Sequence, residues 1–371
     1  MTCPPAPAPT APPPPPQRIL WIDNLRAIGI LLVLFVHTGR FRAEWFSYIL
    51  AFFMPLFFFL SGLFVKDKLK AKSFWPFLQD KALRRLVPYF AFNILSYLFW
   101  LVFEAGRPEM PPSLQPLLGI VYGVGGYGWL KHNISLWFLI CLFVTEVAFY
   151  FLIRLPSKRQ LSLALGVCAI AGYGFFALTR PLSYTLSWIP GELQYRLPWG
   201  LDLMPTALVF YGAGYLLSPY LLSDSGIRGW RWGLLGGALA AYILGTHLNP
   251  ETVNFIVGKY GHFAWFYLGA FGGILFWLLL CQWIPPNPVL AAIGRSSLTI
   301  YLLHLLVFPL ITGVLTLVLK IPNAQLKGVW WAAALYTAIA TASLIPIHDL
   351  LSRYLPWLVG QRLPRRKVPA S

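Results

Sequence analysis

Residues 19–37 read ILWIDNLRAIGILLVLFVH. A helix needs about 20 mostly apolar residues to cross a bilayer, and this run is long enough. Yet Asp23, Arg26 and His37 stand inside it. An Asp or Arg near the bilayer centre costs roughly 2.5–3.5 kcal/mol, so a segment serving only as an anchor has no reason to carry them. Eleven residues separate Arg26 from His37, close to a whole number of helical turns. The two therefore share one face, about 16 Å apart along the axis. Asp23, three residues before Arg26, falls on the same stripe. A polar stripe of this kind faces the inside of a helix bundle. The fold it predicts is all-α: a polytopic membrane bundle.

The rest of the chain agrees. Of 371 residues, 58% are hydrophobic and only 11% charged, against about a quarter charged in soluble domains. Apolar runs predict ten transmembrane helices, near 19–38, 45–65, 86–103, 136–155, 161–178, 201–221, 230–246, 263–283, 297–319 and 328–350. The net charge of +17 raises nucleic acid as a partner, but its distribution points to topology. With a cytoplasmic N-terminus, 20 of the 29 Lys and Arg fall on inside segments. Both termini are then expected in the cytoplasm, and the excess charge is expected to meet anionic headgroups of the lipid bilayer. No nucleic-acid partner is expected.

Residues 1–17 hold nine prolines and read as a disordered cytoplasmic tail. Residues 18–352 form the expected transmembrane domain, and 353–371 a basic cytoplasmic tail. The first apolar run has neither a basic start nor a small-residue cleavage site, so it reads as a retained helix and not a signal peptide. Residues 66–85 mix Lys and Arg with aromatics and fit a short amphipathic helix on the inner surface. Cys3, Cys141, Cys168 and Cys281 show no disulfide or metal spacing, so free thiols and no metal are expected.

His37 leads the candidates for chemistry, because a neutral imidazole can take a proton from an attacking hydroxyl and pass it to a leaving group. Its bland reading is an interfacial His at a helix end. Arg26 either forms a structural i,i+3 pair with Asp23 or faces an anionic ligand. Lys81, Arg84 and Arg85 precede the third apolar run. They could grip phosphate oxygens, although cytoplasmic anchoring explains basic residues there equally well. Ser61-Gly62 reads as helix packing, Trp137 as a belt residue at a helix mouth, and His304 as a cavity lining in a polar-entered span. Glu146 is the one acid well inside a later helix, and His348-Asp349 reads as interfacial.

In addition, the stretch from Trp21 to His37, with an Arg, ten residues and then a His, resembles the first helix of the acyltransferase family 3 membrane proteins. Other motifs follow in that family's order: FMPLFFFLSG at 53–62, KALRRLVPY at 81–89, LWFL at 136–139, LPWGLD at 197–202, FYGAGY at 210–215 and IGRSSLTIYLLH at 293–304. The LPW and LWFL forms resemble most the branch of fucose 4-O-acetylase-like sugar O-acetyltransferases. One feature departs from the pattern. Many relatives carry a Glu in a W-x-L-x-x-E setting, whereas Leu142 stands at that position here and Glu146 comes four residues later. That Glu's role is therefore not carried over.

The resemblance implies ten helices in a bacterial cell (inner) membrane and transfer of an acyl group, usually acetyl from acetyl-CoA, to a hydroxyl of a carbohydrate. It implies that His37 is the central catalytic residue, that Arg26 supports it or the donor, and that Lys81 and Arg84 meet CoA phosphates. Asp23 is grouped with the catalytic residues and Arg85 with the CoA-binding ones. The alternative is a transporter or flippase for an anionic or lipid-linked small molecule that uses the Asp23/Arg26/His37 stripe. Against it stands the absence of repeats or paired broken helices.

Overall fold

The computed structural model describes residues 19–40, 44–103, 114–125, 129–183, 196–222 and 231–361. The Pro-rich stretch 1–17 and residues 362–371 of the basic C-terminal stretch lie outside them. The described residues form eleven α-helices: α1 Leu20–His37, α2 Phe46–Leu63, α3 Phe74–Phe103, α4 Leu114–Tyr122, α5 Trp137–Leu152, α6 Lys158–Ser183, α7 Met204–Leu221, α8 Arg231–His247, α9 Phe263–Cys281, α10 Pro288–Gly313 and α11 Trp330–Tyr354. Each of the ten apolar runs coincides with one of them. Among the described residues, nine helices are long and apolar enough to cross a membrane. The remaining expected span, α8, has 17 residues.

The faces behave as a membrane bundle requires. On α6, Leu163, Val167, Ile170 and Leu178 recur at helical spacing and are all exposed, as are Ile94, Leu95, Leu98 and Val102 on α3. Those stripes suit lipid tails. The inward faces carry Phe52, Phe58, Phe59, Tyr89, Phe149 and Tyr211, all buried. α1 packs on α10, α2 on α7 and α9, α3 on α5, and α8 on α9. With little hydrophobic drive between helices in lipid, close approach depends on small residues. Gly62 of α2 lies against the Tyr211 carbonyl of α7, and Gly214 of α7 lies against the Phe59 carbonyl of α2. Gly294 of α10 meets the Asp23 backbone of α1 in the same way.

Two expectations change. Residues 66–85 do not form a separate surface helix. Asp67–Ala71 make one 3-10 turn, and Phe74 already begins α3, which runs for 30 residues. The turn is tied down: Tyr215 Oη donates to Asp67, and Tyr150 Oη donates to the Lys72 carbonyl at 2.8 Å. Between the third and fourth apolar runs, where no helix was expected, Leu114–Tyr122 form the short α4. Residues 353–361 pack on the bundle, with Val359 buried and Gly360 near the Arg84 carbonyl. Cys141, Cys168 and Cys281 are free thiols.

Candidate active site

A cavity of about 1530 Å³ lies inside the bundle. Its lining follows α1 from Arg26 past His37 to Gly39, and α2 from Leu50 to Ser61, then on to Val65. The helical spacing of the sequence thus brings Arg26 and His37 into one hollow. Asp23 is not in its lining. It is buried, with Oδ1 4.0 Å from Arg26 Nη1, where α1 and α10 touch. The Arg26 guanidinium also sits 5.0 Å above the centre of the Phe64 ring.

The two ends of the cavity differ in chemistry. Lys66, Lys68, Lys72, Lys81, Arg84, Arg85, Arg295 and Arg26 contribute eight cations, against the carboxylates of Asp80 and Glu146. The Gly294–Asp23 contact sets Arg295 at the level of Arg26, so this charge gathers at one end. Towards His37 the wall becomes apolar and aromatic, with Phe53, Met54, Phe57 and Phe138. Trp137 is buried there and stacks on Phe255 with ring centres 6.1 Å apart. Ser61 lines the cavity, but its hydroxyl donates to its own helix at the Phe57 carbonyl, 2.8 Å away.

His304 lies outside the lining yet directly behind His37. It is fully buried, and the two rings lie 5.2 Å apart. His304 Nδ1 is 2.9 Å from the Tyr301 carbonyl and 3.1 Å from that of Ile300. Carbonyls only accept, so Nδ1 carries the hydrogen and Nε2 holds the lone pair. Tyr301 itself lines the cavity and donates to the Ser135 carbonyl. Beyond His37, Arg40 secures the outgoing chain. Its guanidinium donates to Thr312 at 2.8 Å, to Tyr336 at 2.9 Å and to Asn323.

The feature that sequence reading missed is the role of Glu146. Its carboxylate accepts from Lys81 Nζ at 2.6 Å and from Arg85 Nη2 and Nε at 3.0 and 3.1 Å. Two of the three cations assigned to a phosphate therefore already share a buried counter-charge. Arg84 pairs more loosely with Asp80, at 3.3 Å on its own helix. An acid in mid-helix was the only signal for this cluster, and nothing in one sequence names its partners. His348 also belongs to the cavity wall, where it holds Thr299 at 2.8 Å. No group of three or more metal-type side chains occurs among the described residues.

The family model described as an acyltransferase domain matches residues 19–349, from the first residue of the described chain into the last turns of α11. No curated protein matches the chain. Its membrane-length helices and that match together identify a multi-pass membrane protein, and the chain belongs to the acyltransferase 3 family.

Proposed function

We propose that this chain is an O-acyltransferase of the sugar-acetylase kind. It moves an acyl group, most simply acetyl, from acyl-CoA to a carbohydrate hydroxyl at the cell membrane of a bacterium. The observation that carries the reading is one continuous cavity lined both by a cation-rich cluster and by His37. The volume of about 1530 Å³ exceeds the ~300–1,000 Å³ of ordinary small-molecule sites, which suits a long donor and an acceptor held together. CoA phosphates suit the basic end, where Lys66, Lys68 and Lys72 stand with Arg84, whose acid partner Asp80 lies partly in solvent. The pantetheine arm and thioester suit the apolar wall beyond Arg26.

At His37 the balance of the reaction is simple. The imidazole takes the proton of the acceptor hydroxyl as its oxygen attacks the thioester carbonyl. The C–S bond breaks, the ester forms, and the proton passes to the departing CoA sulfur. Arg26 and Asp23 act as positioning groups at the donor end of the same helix. A route in which His37 carries the acyl group transiently uses the same residues. It differs by leaving label on the protein.

The test is incubation of purified protein with radiolabelled acetyl-CoA, with and without glycans. Transfer of label with release of CoA is expected, and it should vanish in His37→Ala. Label retained on the protein without a glycan would indicate the acyl-histidine route. Uptake into vesicles without CoA turnover would overturn the enzyme reading in favour of a carrier.

A further inference from the structure

We propose that a second cavity, at the His37 end of the bundle, seats a sugar ring of the acceptor beside the ring that is acylated. This rests on the carbohydrate reading above. The cavity holds about 530 Å³, within the range of a small-molecule site. It opens between the start of α2, the end of α8 and the start of α9.

Its position ties it to the reaction. Trp45 lines it, and that ring stacks 6.2 Å from Phe35, two residues before His37. The chain at 252–256 is a shared wall: Thr252 and Val253 line the small cavity, while Asn254, Phe255 and Ile256 line the large one. On this proposal a glycan with one unit at His37 sets its next unit against this wall. The floor is preformed. Asn249 donates to the Tyr260 carbonyl and accepts from the His262 amide, both at 2.9 Å, which fixes the loop between α8 and α9.

Its chemistry selects the ligand class. The lining has Trp45, Tyr48 and Trp265 with Glu44 and Glu251, and among the described residues it contains no Lys or Arg. Lys259, outside the lining, pairs with Glu251 at 3.8 Å. This is the reverse of the large cavity with its eight cations, so phosphates and CoA are disfavoured here. A neutral polyhydroxylated ring fits: its C–H face lies on an aromatic face and its hydroxyls donate to the carboxylates. Interfacial Trp residues usually lie in a belt against lipid. Trp265 is instead only partly exposed and borders a polar hollow.

The experiment compares wild type, Trp265→Ala, Trp265→Tyr and Glu44→Gln in the producing cells at limiting expression. Surface glycan O-acylation is read by mass spectrometry, and CoA affinity is read on each purified protein by calorimetry. Trp265→Ala is expected to lower glycan acylation about tenfold with CoA affinity unchanged. Trp265→Tyr should recover most of it, and Glu44→Gln, an exposed position with no packing role, should lose several-fold. Wild-type acylation in Trp265→Ala and Glu44→Gln would overturn the subsite, as would an equal loss of CoA affinity, which marks a general folding defect. A wild-type protein that acylates no glycan would fail differently, overturning the carbohydrate reading and the subsite with it.

Discussion

The ring of His37 on α1 lies 5.2 Å from that of His304 on α10, tilted by 42°. Because the carbonyls of Tyr301 and Ile300 take the Nδ1 hydrogen, His304 keeps an Nε2 lone pair that is buried and has no hydrogen-bond partner. With the two rings 5.2 Å apart, that lone pair would favour the cation that His37 becomes on the proposed mechanism when it accepts a proton. On the proposed mechanism His304 would position and stabilise the His37 ring, and the substrate would meet His37. His37→Ala should cost the ~10²–10⁴-fold expected of a lost general base. His304→Phe keeps an aromatic ring and removes both nitrogens, the lone pair with them. It should lower kcat by about tenfold, near 1.4 kcal/mol, with the KM for acyl-CoA unchanged. Initial rates over a range of acyl-CoA separate the two effects, and a wild-type kcat in His304→Phe would remove the lone pair from the mechanism.

Charge at the other end of the cavity divides into structural and available parts. Glu146 is almost completely buried and answers both Lys81 and Arg85, tying α5 to α3. Removing one partner of a buried pair costs about 3–5 kcal/mol, since it leaves a charge unanswered. Glu146→Gln should therefore lower the unfolding temperature and the yield of folded protein. Arg84 pairs with Asp80 one helical turn away and partly in solvent, a contact worth ~0.3–0.5 kcal/mol. Arg84→Ala should leave thermal unfolding near wild type and weaken CoA binding. Added salt should weaken CoA binding further, because solvent-open cations are screened. Calorimetry with CoA and thermal unfolding in detergent check the pair. Unchanged CoA affinity in Arg84→Ala would exclude Arg84 from the donor site.

The bundle was legible because membrane-spanning helices announce themselves by length and apolarity, and each of the ten runs coincides with a helix. The shared face of Arg26 and His37 was legible for the same reason: both lie on one helix, where spacing fixes direction. What lies between helices was not. Glu146 and Arg85 are 61 residues apart in the chain, and His37 and His304 still further. No periodicity reports such a meeting. Asp23 shows the limit within a helix. Its place on the stripe followed from spacing, but it is buried beside the close approach of Gly294 on α10 and does not line the cavity. The amphipathic reading of 66–85 failed because α3 continues from Phe74 straight into its span.

The α2–α7 crossing offers a test of packing. Gly62 and Gly214 each lie against a backbone carbonyl of the opposite helix, so a methyl group at either position forces the helices apart. Overpacking of this kind costs about 1–3 kcal/mol. Tyr211 and Ser61 border the cavity beside that crossing, so the strain reaches the site. Gly62→Ala should lower both the unfolding temperature and the turnover rate, whereas Gly236→Ala on α8, which meets no neighbour, should change neither. Unfolding curves and initial rates on the two variants decide it. Equal behaviour would show that the crossing tolerates the extra volume.

Stability should also depend on pH through His132, which lies just before the α5 span. Asn93 Nδ2 donates to the Tyr89 carbonyl at 2.9 Å, which leaves Oδ1 to accept from His132 Nε2 at 3.0 Å. The other nitrogen, Nδ1, is buried with no partner, so a second proton has nowhere to be received. Burial accordingly pushes the His132 imidazole down to about 4. Below the ordinary value near 6.5 the unfolded chain binds a proton that the folded chain refuses. The stabilisation is complete above pH 6.5 and declines as pH falls towards 4, by at most about 3 kcal/mol. The unfolding temperature in detergent should therefore drop between pH 7.5 and pH 5. His132→Gln offers an amide donor to Asn93 without a titrating ring and should show a smaller drop. If the variant falls as steeply as wild type, the pH sensitivity belongs to other groups.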